Sequence, residues 1–321
     1  MKGMDLTVQI LLAFFLDLLI GDPSRYPHPV RIIGFFAKNL ERFTRRYFSN
    51  PILAGGITAS IVVIGAFVSG WTLLWALRQI HPLAEAASSV FLIYTCLSIR
   101  SLYDESRPVL NALKQNQEEQ ARKYLSRIVG RDTENLNQKE IVRATVETIA
   151  ESTIDGIIAP LFYAFIGGAP LALAYKATNT LDSMFGYKNN TYKWFGMIPA
   201  RLDDAANWVP ARLGGALMAL AAAIIGFDGK RSWTTVQRDG AKHLSPNAGI
   251  PEAAMAGALG VQLGGSSYYE GHRVDKPYIG STEKEIAMTD ISQSHKIMFA
   301  SSVLALVALM IFRKLLESNL T

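Results

Sequence analysis

Three acids, Glu147, Glu151 and Asp155, recur at every fourth residue of "VETIAESTIDGIIAP", where a polar stretch gives way to an apolar one. Steps of four advance about 400° around an α-helix, so the three carboxylates share one face with slight drift. Like charges at that spacing repel by a few tenths of a kcal/mol when exposed, and burial raises the cost. A cation should therefore stand against the stripe: a basic side chain, a metal ion or a substrate amine. Mg2+ suits it, since it takes one or two carboxylates and completes its shell with waters and phosphate oxygens. The plainer alternative is a surface helix in which Arg143 pairs with Glu147 at i,i+4. Glu151 and Asp155 have no basic residue three or four positions away.

Three further groups carry chemistry-bearing side chains. "YKATNTLDSMFGYKNNTYKWFG" offers Lys176, Asn179, Asp182 and Lys188, types that bind hard ions and phosphate, interleaved with Tyr187, Tyr192 and Trp194. "ARLDDAANW" adds Arg201, Asp203, Asp204 and Asn207. The alternative for these is an ordinary polar loop with interfacial aromatics. "GDPSRYPHPVRIIG" sets His28 between two prolines that fix the backbone, with Arg31 just beyond. "AKHLSPNAGIPEAAMAG" supplies Lys242, His243, Ser245 and Asn247, for which a helix-capping turn is the plainer reading. The chain contains no P-loop, HExxH, dinucleotide GxGxxG or GxSxG motif, so a nucleotide site must use a less familiar frame.

The elements that position these residues are apolar helices. Half of the 321 residues are hydrophobic, and they gather in segments near 4–20, 52–77, 85–102, 154–176, 208–227 and 297–312. Segment 52–77 contains no charge and is long enough to cross a bilayer with some tilt. Segment 4–20 carries Asp17 and no small-residue cleavage pattern follows it, so it reads as a retained helix. The expected architecture is a single all-α, polytopic membrane domain spanning 1–321, with a polar helical loop at 103–152 and a polar segment at 228–296. Gly130 should end one helix of that loop, and Thr133 or Asn137 should cap the next. Within 154–176, Pro160, Gly167, Gly168 and Pro170 imply either one kinked span or a re-entrant pair of short helices turning at "GGAP".

Between the first two apolar segments, Arg25, Arg31, Lys38, Arg42, Arg45 and Arg46 face only Asp22 and Glu41. The positive-inside rule makes that loop cytoplasmic and puts the N-terminus outside. The net charge of +5 points to no nucleic-acid partner in this setting, and lone Cys96 excludes an intrachain disulfide or a CxxC site.

Long stretches resemble the CobD/CbiB family of cobalamin-biosynthesis membrane proteins, the adenosylcobinamide-phosphate synthases. They are "LDLLIGDPSRYPHPVRIIG", "VGRDTENLNQKEIVRATVETIAESTIDGIIAPLFYAFIGGAPLALAYKATNTLDSMFGYKN", "ARLDDAANWVPARL" and "SPNAGIPEAAMAGALG". The resemblance covers nearly the whole chain. It implies a bacterial inner-membrane enzyme with a cytoplasmic active site that joins aminopropanol, or its phosphate, to a propionate of (adenosyl)cobyric acid with ATP and Mg2+. Membrane lipid and other enzymes of the corrinoid pathway are the further partners it implies. That chemistry assigns expected roles: Glu151, Asp155 and Asp182 as the catalytic carboxylates, and Glu147, Glu151 and Asp155 as metal ligands. Arg31, Lys176 and Lys188 would grip phosphate, while Asn179, Asn207 and Asn247 would meet the amide fringe of the corrin, whose flat face would lie on Tyr187 or Trp194. An ion-coupled carrier and a non-catalytic membrane scaffold are the competing classes.

Overall fold

The computed structural model describes residues 4–22, 28–187 and 189–320. In chain order the helices begin with α1 (Leu6–Ile20), α2 (Pro29–Tyr47), α3 (Pro51–Ile80), α4 (Pro82–Tyr94), α5 (Ile99–Lys114) and α6 (Glu118–Leu125). They continue with α7 (Gln138–Thr153), a π-helical turn at Ile154–Ile158, α8 (Ala159–Phe185), α9 (Met197–Ile224), α10 (Gly229–Asp239) and α11 (Gly249–Leu259). A hairpin of β1 (Gln262–Tyr269) and β2 (His272–Gly280) precedes α12 (Thr289–Leu320).

The protein is a polytopic helical membrane protein. By length and composition, four helical stretches can cross a bilayer: Pro51–Ile80, Pro82–Lys114, Gln138–Phe185 and Thr289–Leu316. Leu6–Ile20 is apolar but shorter. The predicted apolar segment 208–227 falls mostly in α9, which ends at Ile224 and is not among the four. Arg212 interrupts that segment, and Arg201, Asp203 and Asp204 lie earlier in the same helix.

The chain divides into two compact units, the first made of Met1–Ser98, Ala159–Asn207 and Ala308–Thr321. Prolines at the first positions of α2, α3 and α4 supply a helical φ where no N–H partner is needed. The core of this unit joins α2, α3 and α8 through Ala37, Ala54, Ala59, Val62, Ala66, Ala177, Leu181 and Phe185, with Phe195. Small residues let the backbones approach, which matters where lipid supplies no hydrophobic drive for helix association. At Gly55 a Cβ would meet the Phe195 carbonyl oxygen at 1.9 Å, so no other residue fits. The predicted interruption of α8 is present. The backbone leaves helical geometry at Gly167 (φ −140°, ψ 22°) and Gly168 (φ 66°, ψ −160°), and the second of these favours glycine.

The second unit, Ile99–Ile158 and Trp208–Val307, contains the polar loop and the polar segment. The loop is helical as expected. Asn137 caps α7 in a reciprocal capping box with Glu140, at 3.1 and 2.9 Å. α11 is buried on every side, and a Cβ at Gly257 would meet the backbone of Arg231 and Ser232 at 2.7 Å, so α10 packs almost directly on α11. The hairpin was not foreseen and corrects the purely α-helical expectation for residues 228–296. Its strands pair antiparallel from Gln262↔Gly280 to Tyr269↔His272, with a bulge between Leu263 and Gly265. Glu270 and Gly271 turn it with φ of 50° and 78°. Asp132 clamps the turn: its carboxylate accepts from the N–H groups of Glu270 (3.2 Å) and Gly271 (2.8 Å), while its own N–H donates to Tyr268 O at 2.8 Å.

Candidate functional site

The acidic stripe separates into three environments. Glu147 is buried, Glu151 is exposed and Asp155 is half-buried. α7 ends at Thr153 and the π-helical turn follows, so Asp155 does not continue the α-helical register that holds the first two in line. The expected cation next to Glu147 is a basic side chain from outside the helix. Arg131 donates to Glu147 Oε2 at 2.6 Å and to Ser267 Oγ at 3.3 Å, and it replaces the Arg143 pairing that i,i+4 spacing suggests. Arg143 instead leaves its Nε buried without a hydrogen-bond partner. The bulge in β1 turns the Gly264 N–H onto Glu147 Oε1 at 2.8 Å. Gly264 has φ 83°, and a Cβ there would meet Pro277 O at 2.2 Å, so this close approach requires glycine. Both oxygens of Glu147 are therefore engaged.

Around this pair the second unit gathers Glu252 and Lys276, which spacing did not reveal, and His243 and Asn247, which the sequence singled out. Glu252, buried in α11, carries a pKa raised well above the ordinary carboxylate value, first by burial and then by the negative charges of Glu147 and Glu151. Lys276 and Arg131 oppose that shift only in part, so the site favours the protonated form of Glu252. Lys276 stands on β2 opposite Gly265, with Nζ 5.7 Å from the centre of the Tyr269 ring. His243 accepts a hydrogen bond on Nδ1 from the Ser245 N–H at 3.0 Å, and its buried Nε2 has no partner. Burial first, and then Lys276, push its pKa down to about 4, so the ring is neutral. Asn247, buried at the entrance to α11, accepts from Arg212 at 3.3 Å, and Arg212 lies 4.2 Å over the Trp208 ring.

The first unit holds a different polar group. The Tyr175 hydroxyl donates to Asn207 Oδ1 at 2.9 Å, Asn207 donates to Asp203 at 2.9 Å, and Asn179 donates to the same carboxylate at 3.4 Å. Tyr163 stacks on Tyr175 with centroids 5.0 Å apart. Lys176 is half-buried on the same helix as Tyr175 and Asn179. The Asp182 side chain folds towards the helix end, where a Cβ on Gly186 would meet its Oδ1 at 2.0 Å. Arg31 is exposed in the first turn of α2, and His28 is paired with Asp22 at 2.9 Å. Lys188 lies outside the described residues. The predicted site residues thus fall into two groups: Glu147, Glu151, Asp155 and Asn247 in the second unit, and Arg31, Lys176, Asn179 and Asp182 in the first.

Among the described residues, no three His, Cys, Asp or Glu side chains are arranged to hold a metal ion. With Glu147 committed to Arg131 and Gly264, the stripe does not fit a resident metal held by three protein carboxylates.

A profile described as "CobD/Cbib protein" matches residues 10–298. The chain belongs to the CobD/CbiB family. It is 49% identical over 296 residues to the cobalamin biosynthesis protein CobD of Geobacter metallireducens, covering 92% of this chain and 93% of that one. It is 45% identical over 313 residues to CobD of Clostridium perfringens, covering 97% and 99%. Against the cobalamin biosynthesis protein CbiB of Salmonella typhimurium it is 46% identical over 305 residues, covering 94% and 96%. No solved structure matches the chain. Membership of the CobD/CbiB family sets this chain within cobalamin biosynthesis and agrees with the resemblance its motifs carry.

Proposed function

We propose that the chain is an amide-forming synthase of cobalamin biosynthesis. It joins the amine of aminopropanol, or of its phosphate, to a propionate of (adenosyl)cobyric acid, with ATP as co-substrate and Mg2+ arriving on the nucleotide. The propionate oxygen attacks the γ-phosphorus of ATP and expels ADP. The amine nitrogen then attacks the acyl carbon, phosphate leaves, and the nitrogen loses a proton to a base. The observation that carries this reading is the separation of the acids. Glu147 is locked to Arg131, Glu252 is buried where its protonated form is favoured, and Glu151 alone of the three is exposed.

In this reading Glu151 takes the ammonium proton or meets the metal on the nucleotide, with Asp155 beside it, so that at most two protein carboxylates are needed. Lys276 and Arg131 keep the surrounding field from becoming too negative for a phosphorylated substrate to approach. Arg31, Lys176 and Lys188 serve as phosphate-binding cations, Asp182 as a further catalytic carboxylate, and Asn179, Asn207 and Asn247 as amide partners. The site opens to the cytoplasm, the N-terminus lies outside, and residues 154–176 form a re-entrant pair turning at Gly167 and Gly168.

The test is incubation of membranes carrying the protein with cobyric acid, aminopropanol or its phosphate, and Mg-ATP, followed by mass spectrometry for the new amide. Product is expected in the wild type and should fall at least a hundredfold in Glu151→Gln. Uptake into vesicles without product would identify a carrier. Neither uptake nor product would identify a scaffold, and full activity in a folded Glu151→Gln protein would remove the assigned base.

A further inference from the structure

We propose that α2 is an interfacial helix that binds the phosphate headgroups of anionic lipids through Lys38, Arg42 and Arg46. This surface is independent of the reaction proposed above.

Residues on α2 fall into three sectors around its axis at 100° per residue. One packs inward: Ala37, Glu41 and Thr44 are buried, Thr44 exchanges a hydroxyl hydrogen bond of 2.8 Å with Thr58 of α3, and Gly34 approaches Met184 of α8. Arg45 fixes the helix in place. It pairs with Glu41 at 2.9 Å, donates to Thr191 O at 3.0 Å and lies 4.2 Å over the Phe195 ring. A second sector is apolar and open: Ile32, Phe36, Phe43 and Tyr47 are all exposed, while Phe35, 74% exposed, lies among the basic residues, between Arg42 and Arg46 around the axis. Between this and the packed sector run Lys38, Arg42 and Arg46, each exposed and without an ion pair among the described residues.

Neither water nor the bilayer interior satisfies this pattern. A row of large exposed side chains on a short helix is an aggregation surface in water. The helix is also not among those able to span, and its basic residues forbid burial in hydrocarbon. An apolar sector next to a basic one is satisfied at the bilayer interface, where the first meets acyl chains and the second meets phosphates. A second copy of the chain is a poorer occupant, since an interface there would set like charges against each other.

The experiment measures lipids retained by the purified full-length protein after exchange from equimolar phosphatidylglycerol and phosphatidylcholine, read by mass spectrometry. Each basic residue near an anionic surface contributes roughly fivefold to binding. The wild type should therefore retain phosphatidylglycerol selectively, and Lys38→Gln/Arg42→Gln/Arg46→Gln should lower that selectivity about tenfold or more. High salt should weaken it in the same direction. The variant should still insert in membranes, because the packed sector and Arg45 are untouched. Equal retention of the two lipids, or unchanged selectivity in the variant, overturns the proposal. Displacement of the lipid by millimolar glycerol 3-phosphate would make this a small-anion site and overturns the lipid assignment. A disulfide-linked dimer formed by Phe35→Cys would show that a second copy covers this face, and it overturns the proposal equally.

Discussion

The pairing of Arg131 with Glu147 gives the most direct test of how the acidic helix is tolerated. The two side chains are 10% and 3% exposed and meet at 2.6 Å. Replacing Arg131 by Gln leaves Glu147 charged and buried, with only the Gly264 N–H to serve it. Removing one member of such a pair costs about 3–5 kcal/mol, because the remaining charge has lost its compensation. A folded unit of this size loses roughly 2–4 °C of Tm per kcal/mol, so the midpoint should fall on the order of 10 °C. Adding Glu147→Gln removes the stranded charge and keeps an acceptor for Gly264, so the double variant should recover at least half of the loss. The assay is thermal unfolding of detergent-solubilised protein followed by tryptophan fluorescence. An Arg131→Gln protein as stable as the wild type, or a double variant no better than the single, would refute the account of Glu147 as an ion-paired structural acid.

Four other outcomes follow from the same unit. Glu252→Gln should leave the melting midpoint nearly unchanged, because the amide copies the protonated carboxyl that burial favours; a loss as large as that of Arg131→Gln would mean that Glu252 is ionised. The His243 ring, pushed down to about 4 from 6.5, binds fewer protons folded than unfolded, so its stability contribution is full above about pH 6.5 and fades as pH falls towards 4. His243→Gln should flatten the midpoint-against-pH curve across that window, and an unchanged slope counts against the assignment. Asp239 is held below its ordinary 3.8 first by Arg238, with Lys242 and the Gly280 N–H also contributing, so Asp239→Asn should lower the midpoint at neutral pH, with the difference closing as acid protonates the wild type. Gly264→Ala meets both a positive φ and the Pro277 carbonyl, so it should cost about 2 kcal/mol or more and lower the midpoint.

What the sequence disclosed and what it concealed divide along physical lines. Apolar runs read out the long helices because a span must satisfy its own backbone over a fixed length, and that demand is written in consecutive residues. Asn137 and the Gly167–Gly168 break were legible for the same reason: capping and a left-handed φ are local. The hairpin was not. Its strand residues carry no long apolar alternation, and its only local mark is the Glu270–Gly271 turn within a polar stretch. Around the site, the four-residue spacing identified the acids but could not name their partners. Glu147 meets Arg131 across 16 positions and Gly264 across 117, and neither separation leaves a periodic trace. Glu252 had a weak signal, as the one charge in a helix of small and apolar residues. Four-residue spacing aligns Asp155 with the other acids only if the α-helix continues past Thr153, and the π-helical turn ends it there.

The three glutamates are best understood as one charge system. α11 is enclosed on all sides, so an ionised Glu252 would stand unhydrated beside two other acids, and burial favours its protonated form. That proton is held partly by the fields of Glu147 and Glu151. Arg131 already answers Glu147, which leaves Glu151 as the member whose charge is open to change. A cation docking at Glu151, whether an ammonium group or a metal carried by nucleotide, would cancel part of the field that keeps Glu252 protonated. α7 carries its two glutamates against an apolar core because Glu147 is ion-paired to Arg131 and Glu151 is exposed.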